Sequence, residues 1–188
     1  MDGVGVLGVG ENRGGAKESL VERRKATGEG AVATLYARLR PDGEKGLLTS
    51  PAATYAAYYE TRAQLWEIQS LTRARVICGA EGNAFLELTQ PRWRAAGQRP
   101  DLFAQIDSML ERIRRERGSG SEILDFKTGL GGIIEAEFLV QGLQMRHGAW
   151  NPQFPFAVEE LQQLGVFLAA DATALQTSYD FLRRCESV

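Results

Sequence analysis

The spacing of hydrophobic residues changes period along the chain, and each change predicts an element. In residues 34–40, Leu35, Ala37 and Leu39 alternate with Thr34, Tyr36, Arg38 and Arg40, the period of two expected of a half-buried strand. Pro41-Asp42-Gly43 supplies turn chemistry, so the chain is expected to return in a short hairpin through Leu47-Leu48-Thr49. Ser50-Pro51 combines a capping hydroxyl with a ring preset for a first helical turn. It predicts a helix running to about residue 74, with Tyr55, Tyr58, Leu65, Ile68 and Leu71 on its packed side and Glu60, Glu67 and Arg73 on more polar faces.

Beyond Cys78-Gly79 a second helix is expected over residues 84–94. A third starts at Asp101 and carries Leu102, Ile106, Met109, Leu110 and Ile113 at helical spacing. It ends in Arg114-Arg115-Glu116-Arg117, and Gly118-Ser119-Gly120-Ser121 has linker composition. Gly129, Gly131 and Gly132 precede an apolar-patterned stretch over 133–146 that predicts a buried helix. Two more helices are expected, one over 157–164 that stops at Gly165 and one that opens on Asp171 as N-cap and carries Leu175, Tyr179 and Leu182. Residues 1–30 are broken by Gly3, Gly5, Gly8, Gly10, Gly14 and Gly15 and carry no helix or strand period, which predicts a weakly ordered lead-in. No fixed-period repeat is present. The fold class expected is mainly α, within α+β: a C-terminal helical bundle preceded by a short β-hairpin.

Composition narrows the function classes. The chain has 188 residues, room for one full domain and part of another. Its hydrophobic content of 44% allows a core. A net charge of −2, from 22 Lys and Arg against 24 Asp and Glu, excludes a dominant pull toward nucleic acid or an anionic membrane, so neither is expected as a partner. Cys78, Cys185 and the lone His147 lack metal-ligand or disulfide spacing, which fits a reducing cytoplasm and predicts no zinc site. His147, near a helix end, is expected at the surface or in a cap. No run of about 18 apolar residues and no signal-like start occurs, so neither export nor a membrane span is expected.

Gly3-Val4-Gly5-Val6-Leu7-Gly8 matches a dinucleotide-binding pattern in letters only, because no strand precedes it and no amphipathic helix follows. Arg38-Leu39-Arg40-Pro41 with Gly43 is more informative. Alternation puts both guanidiniums on one face of a strand that then turns, where two forks can hold phosphates. On spacing alone a solvated strand face is the commoner outcome. Two further runs carry the same mixture of charge and fixed spacing: Trp66-Glu67-Ile68-Gln69-Ser70-Leu71-Thr72-Arg73-Ala74-Arg75, and Lys127 with Gly129, Gly131-Gly132-Ile133, Glu135, Glu137-Phe138 and Gln141.

In that order the three runs resemble the bifunctional glutamine-synthetase adenylyltransferase/deadenylylase family, from about residue 35 to 186, closing with Tyr179, Phe181-Leu182-Arg183-Arg184 and Glu186. The resemblance implies a partial chain: 31–117 as the C-terminal part of a nucleotidyltransferase lobe with connecting helices, and 118–188 as the start of the helical domain. The hairpin would then be a remnant of the lobe. It implies the transfer of AMP from ATP to a tyrosine of glutamine synthetase, or its removal by phosphorolysis, in the control of nitrogen assimilation. Mg²⁺ and ATP are the implied cofactors, glutamine synthetase and the PII signalling protein the implied partners.

The family's metal site needs an Asp-x-Asp pair and a third acid on the strand before R-L-R-P. No Asp-x-Asp occurs in this chain, and Tyr36 stands at the third-acid position. A neutral phenol is a poor ligand for a hard cation. Gly118-Ser119 follows the strand and so cannot supply the family's Gly-Ser element. The chain alone is therefore expected to be inactive, with no complete catalytic set and no metal site. Arg38, Arg40, Arg73, Arg75 and Lys127 are the candidate phosphate-facing residues. Glu135 and Glu137, two apart on a helix, point about 200° apart and are not expected to chelate one ion; stabilisation of the helix N-terminus and one buried contact are expected of them. A catalytically inactive helical fragment that docks on glutamine synthetase, or on another part of the enzyme, is the alternative function.

Overall fold

The computed structural model describes residues 8–9, 49–76, 81–117 and 125–186, and these are mainly helical. Two two-residue strands, β1 (Gly8–Val9) and β2 (Thr49–Ser50), are followed by α1 (Ala52–Thr61), α2 (Leu65–Ser70), a 3₁₀ turn (Leu71–Arg73) and α3 (Glu81–Gly97). Then come α4 (Leu102–Arg117), α5 (Ile133–His147), α6 (Phe154–Gln163) and α7 (Ala169–Glu186).

The expected strand over 34–40, its turn and the linker-like 118–121 lie outside the described residues, as does most of the lead-in. Where strand pairing is described it is parallel, Gly8 with Thr49 and Val9 with Ser50. A parallel pair cannot be the two arms of a tight turn, so it gives the expected hairpin no support. It also corrects the reading of 1–30 as free of strand at Gly8–Val9.

The single helix expected from Ser50 to about 74 is instead broken in two. Ser50 ends β2, and Pro51 occupies the N-cap of α1 without a side-chain cap bond. The break follows from Gln64, whose side chain accepts from the Glu67 backbone while its own N–H donates to Glu67 Oε2 at 2.8 Å. This reciprocal capping box starts a new helix at Leu65. Three other boundaries move outward. Helix α3 reaches from 81 to 97 with Pro91 inside it, α6 begins at Phe154 with proline in its first turn, and α7 begins at Ala169, leaving Asp171 in the first turn rather than at the cap. The acidic side chain still lies where a helix N-terminus favours negative charge.

The chain divides into two compact units, at Ala63/Gln64, Arg75/Val76 and Gln90/Pro91. In the first, Tyr55 and Tyr59 pack edge-on against Phe85 with centroids 5.4 and 6.3 Å apart. In the second, α5 is the central helix and touches α2, α4, α6 and α7. Its Val140 joins Ala149, Ala157, Val158, Leu161 and Ala172 in a buried cluster, against which Phe154, Phe167 and Leu175 close. At the C-terminal end of α5, Gly148 adopts φ 72°, a left-handed conformation that glycine enters without a Cβ penalty.

Candidate functional site

The polar side chains of the second unit gather where α5 meets the 64–75 segment and α7. Gln69 and Arg73 stand four residues apart, and so do Glu137 and Gln141, so each pair shares one face of its segment. The two faces zip antiparallel. Gln69 Nε2 donates to Gln141 Oε1 at 3.0 Å, and Arg73 Nη1 donates to Glu137 Oε2 at 3.0 Å. From α7, Tyr179 Oη donates to the remaining oxygen, Glu137 Oε1, at 2.8 Å. Glu137 is thus a buried carboxylate with both oxygens engaged, the condition under which a buried charge is tolerated. Burial first, and then the Glu137 carboxylate beside it, push the Tyr179 phenol well above its ordinary range.

Among the described residues Arg73 pairs with one carboxylate, that of Glu137. Its side chain is 56% exposed while that of Glu137 is 11% exposed, so the carboxylate takes one edge of the guanidinium and much of the side chain remains open to water. A small cleft of about 60 Å³ opens here, lined by Arg73, Glu137, Gln141, Gln144, Phe154 and Tyr179 among others. Phe154 and Tyr179 stack with centroids 3.7 Å apart and wall one side. Beneath, Trp93 Nε1 donates to Thr72 Oγ1 at 2.7 Å, both side chains fully buried, and Gln144 Nε2 donates to the carbonyls of Ala149 and Asn151.

The glycine turn before α5 is closed rather than open to an anion. Ile133 and Ile134 give their N–H groups to the carbonyls of Phe126 and Lys127, and Gly131 gives its own to Glu135 Oε2 at 2.7 Å. Asp125 ties the turn by accepting from the N–H groups of Lys127 and Thr128 and from the Thr128 hydroxyl. Glu135 also meets Arg114 at 2.7 Å. Glu135 and Glu137 therefore serve separate partners, the divergence that helical geometry requires.

Of the candidate phosphate-facing residues, Arg73 lines the cleft and Arg75 is exposed. Lys127 lies on the exposed loop with Nζ 2.6 Å from Glu186 Oε1, while Glu186 Oε2 meets Arg183 at 2.7 Å. The hydrogen bond from Lys127 is the main reason the Glu186 carboxyl sits below its usual range. Arg73 and Lys127 thus rest on different carboxylates. Arg38, Arg40 and Tyr36 lie outside the described residues. His147 is exposed in the last turn of α5. Among the described residues no three His, Cys, Asp or Glu side chains lie close enough to hold a metal ion, so these residues do not fit a Mg²⁺ site. Among the same residues no helix is long and apolar enough to cross a membrane.

Glu137, Gln69, Gln141 and Tyr179 were not singled out as site residues from sequence. The signal was present in the matched four-residue spacings, a charged and an amide residue on each of two segments, but pairing across 64 and 72 residues has no local signature.

Two family models divide the chain. Residues 20–88 match glutamate-ammonia ligase adenylyltransferase, and residues 101–188 match GlnD PII-uridylyltransferase. Both descriptions name nucleotidyl transferases. Curated relatives named bifunctional glutamine synthetase adenylyltransferase/adenylyl-removing enzyme align along most of the chain. The protein from Mycolicibacterium smegmatis is 31% identical, over 97% of this chain and 20% of the relative. That from Corynebacterium efficiens is 34% identical, over 85% and 16%, and that from Stenotrophomonas maltophilia 39%, over 81% and 17%. The chain belongs to the glutamate-ammonia ligase adenylyltransferase family, and it spans about a fifth or less of the length of these relatives. The match begins earlier than residue 35, reaching into the glycine-rich lead-in.

Proposed function

We propose that the chain is a stretch of an enzyme that transfers AMP from ATP to a tyrosine of glutamine synthetase, or removes it by phosphorolysis, and so regulates nitrogen assimilation. Residues 31–117 would contribute the end of the nucleotidyltransferase lobe with its connecting helices, and 118–188 the start of the helical domain. Glutamine synthetase is the proposed protein partner, PII a further one, and the cytoplasm the proposed location.

The observation that carries this reading is the convergence of three separated runs of the sequence on one polar cluster: Gln69 and Arg73, Glu137 and Gln141, and Tyr179. In this reading Arg73 presents its water-facing edge to a phosphoryl oxygen, with Arg75, Lys127, Arg38 and Arg40 as further phosphate-facing residues. ATP supplies the AMP, and Mg²⁺ belongs to carboxylates that the described residues lack. No step is assigned through the metal.

The chain alone is proposed to be inactive, since Tyr36 and the missing Asp-x-Asp leave no metal-binding set. The purified chain incubated with radiolabelled ATP, Mg²⁺ and unmodified glutamine synthetase should label the synthetase no more than a reaction lacking the chain. Mg²⁺-dependent labelling above that blank overturns the inactivity. Failure of glutamine synthetase to compete with any probe of the chain, and of ATP to perturb Arg73, overturns the wider reading.

A further inference from the structure

The clamp on Arg73 is built from the inside outward. Tyr179 keeps its proton to high pH, so its hydroxyl is a donor throughout the neutral range, and it donates to Glu137 Oε1. The phenol ring is itself fixed by its stack on Phe154. With one oxygen occupied, Glu137 has a single oxygen left, Oε2, aimed at Arg73 Nη1. Gln69, one helical turn before Arg73, is tied to Gln141, one turn after Glu137, which holds the two segments in register. A long arginine side chain at the surface loses rotamer freedom when it binds an anion. Here that freedom is already restricted, because one edge of the guanidinium rests on a carboxylate that cannot itself swing. The Arg73 side chain lines the cleft and more than half of it is open to water.

We infer that Glu137, fixed by the Tyr179 hydroxyl, is a positioning residue that presets the Arg73 guanidinium to receive a phosphate group of a nucleoside triphosphate on its outer edge. This rests on the reading of Arg73 as a phosphate-facing residue. It adds the residues through which Arg73 acts, Glu137 and behind it Tyr179. Neutralisation by Glu137 would weaken a point-charge attraction, so the gain must come from orientation, a forked donor held still rather than a stronger charge. Lysine at 73 could not substitute, because a rotating ammonium has no outer edge to preset.

Titration of the full 188-residue chain with ATP, followed through the Nε–Hε resonance of Arg73, separates this inference from the reading beneath it. In the wild-type chain that resonance should shift with added ATP. Tyr179→Phe keeps the ring stack and deletes one donor, and should raise the apparent Kd about three- to tenfold, the worth of one hydrogen bond. Glu137→Gln, which keeps the shape, should act in the same direction. Leu110→Ala, a core truncation in α4 at a buried residue that does not line the cleft, serves as the structural control and should leave Kd unchanged although it lowers stability. Equal Kd in wild type, Tyr179→Phe and Glu137→Gln, with Arg73 shifting in each, overturns the positioning role and leaves Arg73 as the phosphate ligand. A rise in Leu110→Ala as large as in Tyr179→Phe also overturns it, because the effect is then general loosening. No shift of Arg73 in the wild-type chain overturns the phosphate-facing assignment itself, and the inference falls with it.

Discussion

Glu137 shows how one residue can set the stability of its surroundings and the orientation of a neighbour. Truncating it to alanine strips Tyr179 of its acceptor in a buried site and Arg73 of its counter-charge, and unsatisfied buried groups are the expensive outcome. Glu137→Ala should destabilise the second unit by about 2–3 kcal/mol, while Glu137→Gln, whose amide oxygen can still accept, should cost about 1 kcal/mol. Urea unfolding of both variants checks the order, and equal losses would show that packing rather than hydrogen bonding sets the cost. Tyr179 carries a pH signature. Its folded-state pKa is raised by burial and then by Glu137, whereas the unfolded phenol ionises near 10.0. Only the unfolded form releases the proton just above that pH, so the contribution is complete below about 10 and is lost as pH rises beyond it. Thermal melts between pH 8 and about 11 should therefore fall more steeply in the wild-type chain than in Tyr179→Phe. Parallel declines would mean that Tyr179 ionises alike in both states.

At the scale of elements, the second unit depends on two helices that approach closely through glycine. A Cβ built on Gly97, the last residue of α3, would sit 1.9 Å from the Met145 carbonyl oxygen of α5, and backbone cannot step aside as a side chain end can. Gly97→Ala should cost about 3 kcal/mol or more by forcing α3 off α5. At Gly131 the same change meets no neighbour and costs only the strain of φ 71°, about 1 kcal/mol. Denaturation midpoints in which Gly131→Ala is the worse variant would contradict this packing. These helices were largely legible in the sequence, because α4, α6 and α7 each carry a hydrophobic face that periodicity detects, while α5, buried on several sides, was marked by its apolar content and the glycine turn before it. Leu102, Ile106 and Leu110 are buried as their spacing required. The α1/α2 break was not, since Gln64 and Glu67 make a capping box from a glutamine, a less common cap than serine or threonine. Pro91 likewise hid the length of α3, because a proline inside a helical pattern normally marks its end. The candidate site was legible only in part. Arg73 stood out by charge and spacing, but its partner Glu137, and the Tyr179 hydroxyl that donates to that carboxylate, are brought to it by long-range packing alone.

Across the whole molecule, the boundary between the two units coincides with a weak point in one helix. The units divide at Gln90/Pro91, inside α3, and the two family models end and begin on either side of it, at 88 and 101. Pro91 has no N–H, so the ladder of α3 loses the bond to the Glu87 carbonyl. Two residues earlier, the buried Thr89 hydroxyl donates to the Phe85 carbonyl at 2.9 Å, a back-bond that competes with the same ladder and bends helices. A helix is cooperative only while its hydrogen bonds run on without a gap. Two stretches of α3 should therefore open with different free energies: 92–97, packed with the second unit through the buried Trp93 and Ala96, and 83–90, packed with the first through Phe85. Native-state amide exchange should give the amides of 92–97 protection that tracks α5, exceeding that of 83–90 by at least about tenfold, a difference of about 1.4 kcal/mol. Pro91→Ala restores the missing donor and should draw the two values together. Uniform protection along α3 in the wild-type chain, or a step unchanged by Pro91→Ala, would show that the helix opens as one piece and that the division of the chain is not set at Pro91.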